Sequence, residues 1–104
     1  MNLENEAIMI GQIDDLETDS VENFEHEEVE YAIYHLKSGY YATQGLCSCN
    51  APLSEGTIVN EEIECASCGK SFSIISGDPI SDPETSLLKT FEITIEENNL
   101  YLNL

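Results

Sequence analysis

All four cysteines of this 104-residue chain fall into two pairs, Cys47-Ser48-Cys49 and Cys65-Ala66-Ser67-Cys68, with fifteen residues between the pairs. The spacing C-x-C-x15-C-x2-C constrains the fold more than any other feature, because two loops must converge for the pairs to act together. Four sulfurs at one point suit a tetrahedral Zn²⁺ or Fe site, or an iron–sulfur cluster. Two disulfides fit the context less well. The N-terminus MNLENEAIMI is acidic and lacks the basic segment and long apolar run of a secretory leader. A reducing cytoplasm is the expected compartment, and disulfides are rare there. A thiol–disulfide exchange motif would place its C-x-x-C at a helix start, whereas Cys68-Gly69-Lys70-Ser71-Phe72 reads as a turn entering a strand.

Length predicts one domain with a single core over residues 1–104. No apolar stretch is long enough to span a bilayer. Twenty-one Asp and Glu face three lysines and no arginine, a formal charge of −18. Such a polyanion repels nucleic acid and anionic membranes, so neither is an expected partner. Basic protein surfaces are attracted instead, with a salt-sensitive on-rate. The same acidity would also serve solubility or a saline habitat. Eleven of the acids lie within residues 4–30, a segment that still carries regularly spaced apolar residues.

The dominant period is two. Glu28 to Leu36 alternates and is rich in aromatic and β-branched residues, Lys37-Ser38-Gly39 turns, and Tyr40-Tyr41-Ala42 begins a second strand. Phe91 to Glu96 and Leu100 to Leu104 alternate around Glu97-Asn98-Asn99, which predicts a C-terminal hairpin. A short hairpin around Asn60-Glu61 lies between the cysteine pairs, and Phe72 to Ile75 reads as another strand. Residues 7–13 and 20–25 are further strand candidates, and no amphipathic helix is evident. Short strands with turns every eight to twelve residues predict an all-β sandwich or small barrel. Gly45 and Gly69 flank the cysteine pairs, where tight turns can aim backbone N–H groups at the sulfurs.

The chain resembles Rieske-type ferredoxins over nearly its whole length. Cys47-Ser48-Cys49-Asn50-Ala51-Pro52-Leu53-Ser54-Glu55-Gly56 stands where that family has C-x-H followed by A-P-L-x-x-G. Ile63-Glu64-Cys65-Ala66-Ser67-Cys68-Gly69-Lys70-Ser71-Phe72, then Gly77, follows the second loop, I-x-C-P-x-H-G-x-x-F-x-x-x-x-G, apart from the proline and the histidine. Residues 77–83 resemble the proline-bearing loop that covers the cluster, and Leu88-Lys89-Thr90-Phe91 the strand that follows. The resemblance implies an antiparallel β sandwich or barrel carrying a small cluster-binding subdomain of two loops, about residues 45–83. Family members hold one iron of a [2Fe–2S] cluster by the two cysteines and the other by the two histidines. Here Cys49 and Cys68 stand at both histidine positions. His26 and His35, placed in an upstream turn and on a strand, read as surface histidines. Both substitutions install another metal ligand, which implies that binding persists with altered chemistry. A thiolate is shorter than an imidazole, so both loops must approach the metal more closely. Cys47, Cys49, Cys65 and Cys68 are thus the candidate ligands of an all-cysteine [2Fe–2S] cluster, or of one Zn²⁺ or one Fe.

The function implied is a small electron carrier, not an enzyme in itself. Its partners by resemblance are a flavin-containing reductase and a terminal oxygenase or similar protein, docking through basic surfaces. Leu46, Leu53 and Pro83 would shield the centre. Lys70 and Phe72 stand where high-potential members carry a hydroxyl donor, which implies a low potential. The competing expectation is a non-redox accessory module whose loops are stapled by Zn²⁺.

Overall fold

Two hairpins of the chain turn on paired left-handed residues. Glu27 and Glu28 (φ 53° and 69°) form one turn, and Glu97 and Asn98 (φ 52° and 71°) the other. Two-residue turns of this hand match the right-handed twist of the strands they join. Neither contains glycine, and the first shortens the expected strand so that it begins at Val29. The computed structural model describes residues 7–82 and 84–104. Its strands are β1 (Ala7–Gln12), β2 (Ser20–His26), β3 (Val29–Leu36), β4 (Gly39–Gln44), β5 (Thr57–Val59), β6 (Glu62–Glu64), β7 (Ser71–Ser73), β8 (Thr90–Glu96) and β9 (Asn99–Asn103). Two 3₁₀ turns, Ile13–Asp15 and Leu53–Glu55, are the sole helical elements among the described residues.

A six-stranded antiparallel sheet runs in the order β1-β9-β8-β4-β3-β2, and a three-stranded sheet in the order β5-β6-β7. The large sheet curls so that Ile10 of β1 and Phe24 of β2, on its opposite edges, pack into one apolar cluster with Leu16, Tyr31, Ile33, Ala42 and Leu102. This is the all-β, antiparallel architecture that the sequence implied. The small sheet lies in the segment between β4 and β8, and that segment also carries both cysteine pairs.

Strand β3 joins the two halves. Tyr31 and Ile33 face the barrel cluster, while Ala32, Tyr34 and Leu36 face a second cluster with Leu53, Ile63, Phe72, Ile74 and Leu88. A strand buried on both faces loses the polar half of its alternation, which explains the apolar run Tyr31-Ala32-Ile33-Tyr34. The Tyr34 hydroxyl donates to Thr43 Oγ1 at 2.8 Å, and Thr43 donates in turn to the Gln44 carbonyl. Burial raises the Tyr34 phenol well above its ordinary pKa, with the Thr43 hydrogen bond offsetting part of the rise. The pair places a satisfied polar link inside an apolar layer, where an unpaired hydroxyl would be costly.

Other boundaries also differ from the sequence reading. β7 stops at Ser73, because Ile74 N–H donates to the Glu61 carbonyl and Gly77 N–H closes a turn on Ser73. β8 starts at Thr90; Leu88 instead donates its N–H to Gly77, and Lys89 pairs with the Gln44 backbone and side chain. His26 closes β2 rather than lying in a turn. Among the described residues, no helix is long and apolar enough to cross a membrane.

Gly45 is a tight seam between strand and loop. Its N–H donates to Glu30 O at 2.8 Å, its carbonyl accepts from Leu53 N–H at 2.8 Å, and a Cβ there would stand 2.6 Å from the Glu30 carbonyl carbon. Backbone atoms on β3 cannot yield as a side chain can. Gly45→Ala is therefore expected to destabilise the fold by about 1–3 kcal/mol, the usual cost of overpacking. A fall in urea midpoint at unchanged m-value checks it.

Candidate metal centre

The first cysteine loop leaves β4 and is closed by its own backbone. Cys47 N–H donates to Ala51 O at 2.9 Å, Asn50 N–H donates to Cys47 O at 2.7 Å, and Asn50 takes a left-handed φ of 70°. The second loop joins β6 to β7. Cys65 N–H donates to Lys70 O at 2.9 Å, and Gly69 N–H returns to Cys65 O at 3.0 Å with φ 77°. Gly69 thus occupies the left-handed position that only glycine takes freely.

These turns bring the four sulfurs together. Every Sγ lies within 4.8 Å of every other. Cys47 and Cys68 sulfurs are 3.5 Å apart, and Cys49 and Cys65 sulfurs 3.6 Å apart. Cys47 and Cys65 are buried at 2% and 1% exposure, whereas Cys49 and Cys68 are exposed. All four are free thiols.

Backbone donors set the charge on the sulfurs. Burial disfavours the Cys65 thiolate, but N–H groups of Cys68 and Ser67 aim at its sulfur and, with the Cys49 and Cys68 thiols, bring its pKa down to about 7. The Cys49 sulfur accepts from Ala51 N–H, yet desolvation and the three neighbouring sulfurs prevail and push it up to about 12. Burial raises Cys47 against the N–H of Cys49. Four thiolates this close repel one another, and a bound cation relieves that repulsion.

Of the residues expected to shield the centre, Leu53 is fully buried in the apolar cluster that also holds Cys47 and Cys65, and Leu46 is half-buried. Pro83 lies outside the described residues. Phe72 is buried in the same cluster, and Lys70 makes a 3.8 Å ion pair with Asp82. The histidines are not gathered to the sulfurs. His35 Nδ1 bonds the Leu16 carbonyl and its ring stacks on Tyr40 at 4.0 Å. His26 sits beside Glu27 with a buried, unpartnered Nε2. Both are partly buried structural residues rather than the free surface groups expected. The sequence reading missed the N–H donors of Ala51 and Ser67, and Ser48 Oγ, 3.9 Å from Cys47 Sγ. The glycines beside the pairs were their one visible signal.

The chain matches the Rieske [2Fe–2S] domain over residues 6–92 and belongs to that family. Within it, the relatives are ferredoxin components of oxygenase systems. Ferredoxin CarAc of Metapseudomonas resinovorans is 38% identical over 72 residues, covering 68% of this chain and 67% of that protein. The ferredoxin component of the naphthalene 1,2-dioxygenase system of Pseudomonas putida is 32% identical over 79 residues, covering 75% and 76%. In the solved complex of reduced oxygenase and oxidized ferredoxin in carbazole 1,9a-dioxygenase, one chain superposes with TM-score 0.88 at 28% identity, over 93% of this chain and 92% of that one. In keeping with these ferredoxins, the protein is an electron carrier of the Rieske class rather than an enzyme.

A Rieske domain implies a [2Fe–2S] cluster. The donor type suits iron, since thiolates bind both iron–sulfur clusters and single ions. The spacing does not suit a two-iron core. Sulfurs on different irons of such a core stand roughly 5.5 Å or more apart, and no pair here exceeds 4.8 Å.

Replacing Gly69 separates conformational strain from steric clash at this site. A Cβ there meets no atom within 4 Å, so only the positive φ resists it. Gly69→Ala is expected to cost about 1 kcal/mol and to leave metal content intact, read from urea melts and metal analysis of the same samples.

Proposed function

We propose that this chain carries single electrons from a flavin-containing reductase to a terminal oxygenase or similar redox protein, using iron held by Cys47, Cys49, Cys65 and Cys68. The observation that carries this reading is the convergence of four thiols, two buried and two exposed, on a scaffold shared with ferredoxins. The buried pair anchors the centre in the core, and the exposed pair gives electrons a short path to a docked partner. The described residues act as one Rieske-like domain, with about residues 45–83 as the metal-binding subdomain. A reducing cytoplasm is its compartment, since the thiols must stay free to bind metal. An all-cysteine [2Fe–2S] centre would use the same four ligands, but only if the sulfurs moved apart.

One observation favours a second reading. Sulfurs this close also suit Zn²⁺, and a Zn²⁺-bound chain would be a non-redox accessory module with stapled loops.

Anaerobic coulometric titration of the purified protein tests the carrier reading. Reversible uptake of one electron per chain is expected; no uptake refutes it. Changing any one of the four cysteines to Ala should lower bound metal several-fold and loosen both loops, because binding and local folding are coupled. Full metal content in Cys49→Ala and Cys68→Ala would refute the ligand assignment.

The charge of −18 supports docking to basic surfaces. Reduction by a flavin-containing reductase of a ring-hydroxylating dioxygenase system should slow at least about tenfold between 0.01 M and 1 M salt, as the Debye length falls from about 30 Å to about 3 Å. Stopped-flow rates that ignore salt would leave the acidity to solubility alone.

A further inference from the structure

The family's cluster and this chain's sulfurs disagree in a specific way. A two-iron core divides its four outer ligands into two pairs, close within a pair and far between pairs. In the family's arrangement Cys47 would share one iron with Cys65, and Cys49 would share the other with Cys68. The sulfurs at 3.5 Å and 3.6 Å are instead Cys47 with Cys68 and Cys49 with Cys65, the combinations that arrangement assigns to different irons. Nor does any other pairing serve, because all sulfurs lie within 4.8 Å of one another. A tetrahedral ion with metal–sulfur bonds of about 2.3 Å holds its sulfurs about 3.8 Å apart. The two short separations lie close to that value, and none exceeds 4.8 Å.

The backbone opposes spreading. Gly45 is tied on both sides, to Glu30 of β3 and to Leu53. Cys47 and Cys65 are packed in the core with Leu53, Ile63 and Phe72. The second loop also has a metal-knuckle geometry, with Ser67 and Cys68 N–H groups directed at Cys65 Sγ and Gly69 left-handed behind them. On such a frame a cysteine reaches less far than a histidine, and the space between the loops closes.

We infer that Cys47, Cys49, Cys65 and Cys68 close around a single tetrahedral metal ion, a mononuclear four-thiolate centre, in place of the family's two-iron, two-sulfide core. The inference rests on the electron-carrier reading only in naming iron as the ion.

Protein purified anaerobically from iron-replete cells is assayed for iron, zinc and acid-labile sulfide per chain, with electron paramagnetic resonance of the oxidised and reduced forms. One iron, no labile sulfide and a high-spin ferric signal in the oxidised form are expected. One zinc without sulfide upholds the mononuclear centre and overturns the electron-carrier reading. Two irons with two labile sulfides overturn the inference and leave the carrier intact. Protein recovered without metal is titrated with ferrous iron alone and with ferrous iron plus sulfide. Saturation at one iron without sulfide supports the inference, and a requirement for sulfide refutes it. The double variant Cys49→His/Cys68→His restores the longer side chains and should gain two irons and two sulfides on reconstitution. A variant that still takes one ion and no sulfide would refute ligand reach as the cause.

Discussion

The centre depends on the apolar cluster beneath it, in which two of its own cysteines are packed. Cys47 and Cys65 lie among Ala32, Tyr34 and Leu36 of β3 and among Leu53, Ile63, Phe72 and Ile74 of the loop segment. Fully burying one such side chain contributes about 1.5–3 kcal/mol, so hydrophobic burial helps to dock the loops. Metal bound as proposed would then complete a site half of whose donors are fixed. The exposed half, Cys49 and Cys68, has less packing to hold it and relies on the backbone turns around Asn50 and Gly69.

Electrostatics at this tip oppose the whole. The chain carries −18 overall, and four thiolates on a bound metal would add negative charge at one point. Lys70 is engaged with Asp82 rather than with a sulfur. The compensation comes from the backbone, through N–H groups of Cys49, Ala51, Ser67 and Cys68 directed at sulfurs. Oriented amides act as fixed partial positive charges and do not depend on salt or pH as side chains do. Cys65, with two such donors, ionises more easily than an ordinary thiol, while Cys49, with one and three sulfur neighbours, resists.

Much of this was legible in the sequence, and the rest was not for physical reasons. The C-terminal hairpin appears where alternation is clean and one face is wet, and the β3–β4 hairpin appears around its Lys37-Ser38-Gly39 turn. Alternation fails at Tyr31 to Tyr34, since both faces of β3 are buried, and only the structure shows that the strand serves two cores. The ends of β7 and β8 are set by hydrogen bonds from Ile74, Leu88 and Lys89 to distant backbone, which no local window contains. Cysteine spacing foretold that four sulfurs would meet. Their separation could not be read from it, because that depends on how far Gly45 and the core let the loops part.

Exchanging imidazole for thiolate at positions 49 and 68 alters the face that a partner meets. A histidine ligand bound through one ring nitrogen keeps a second N–H, which can donate a hydrogen bond across an interface and can lose a proton. A metal-bound thiolate can only accept. With metal held as proposed, both exposed sulfurs would present acceptors where the family's histidines present donors, on a chain of net charge −18. A partner suited to this tip must supply donors, either backbone N–H groups or Lys and Arg side chains. In that reading the requirement runs in the same direction as the long-range field, so steering and close contact would select the same kind of surface.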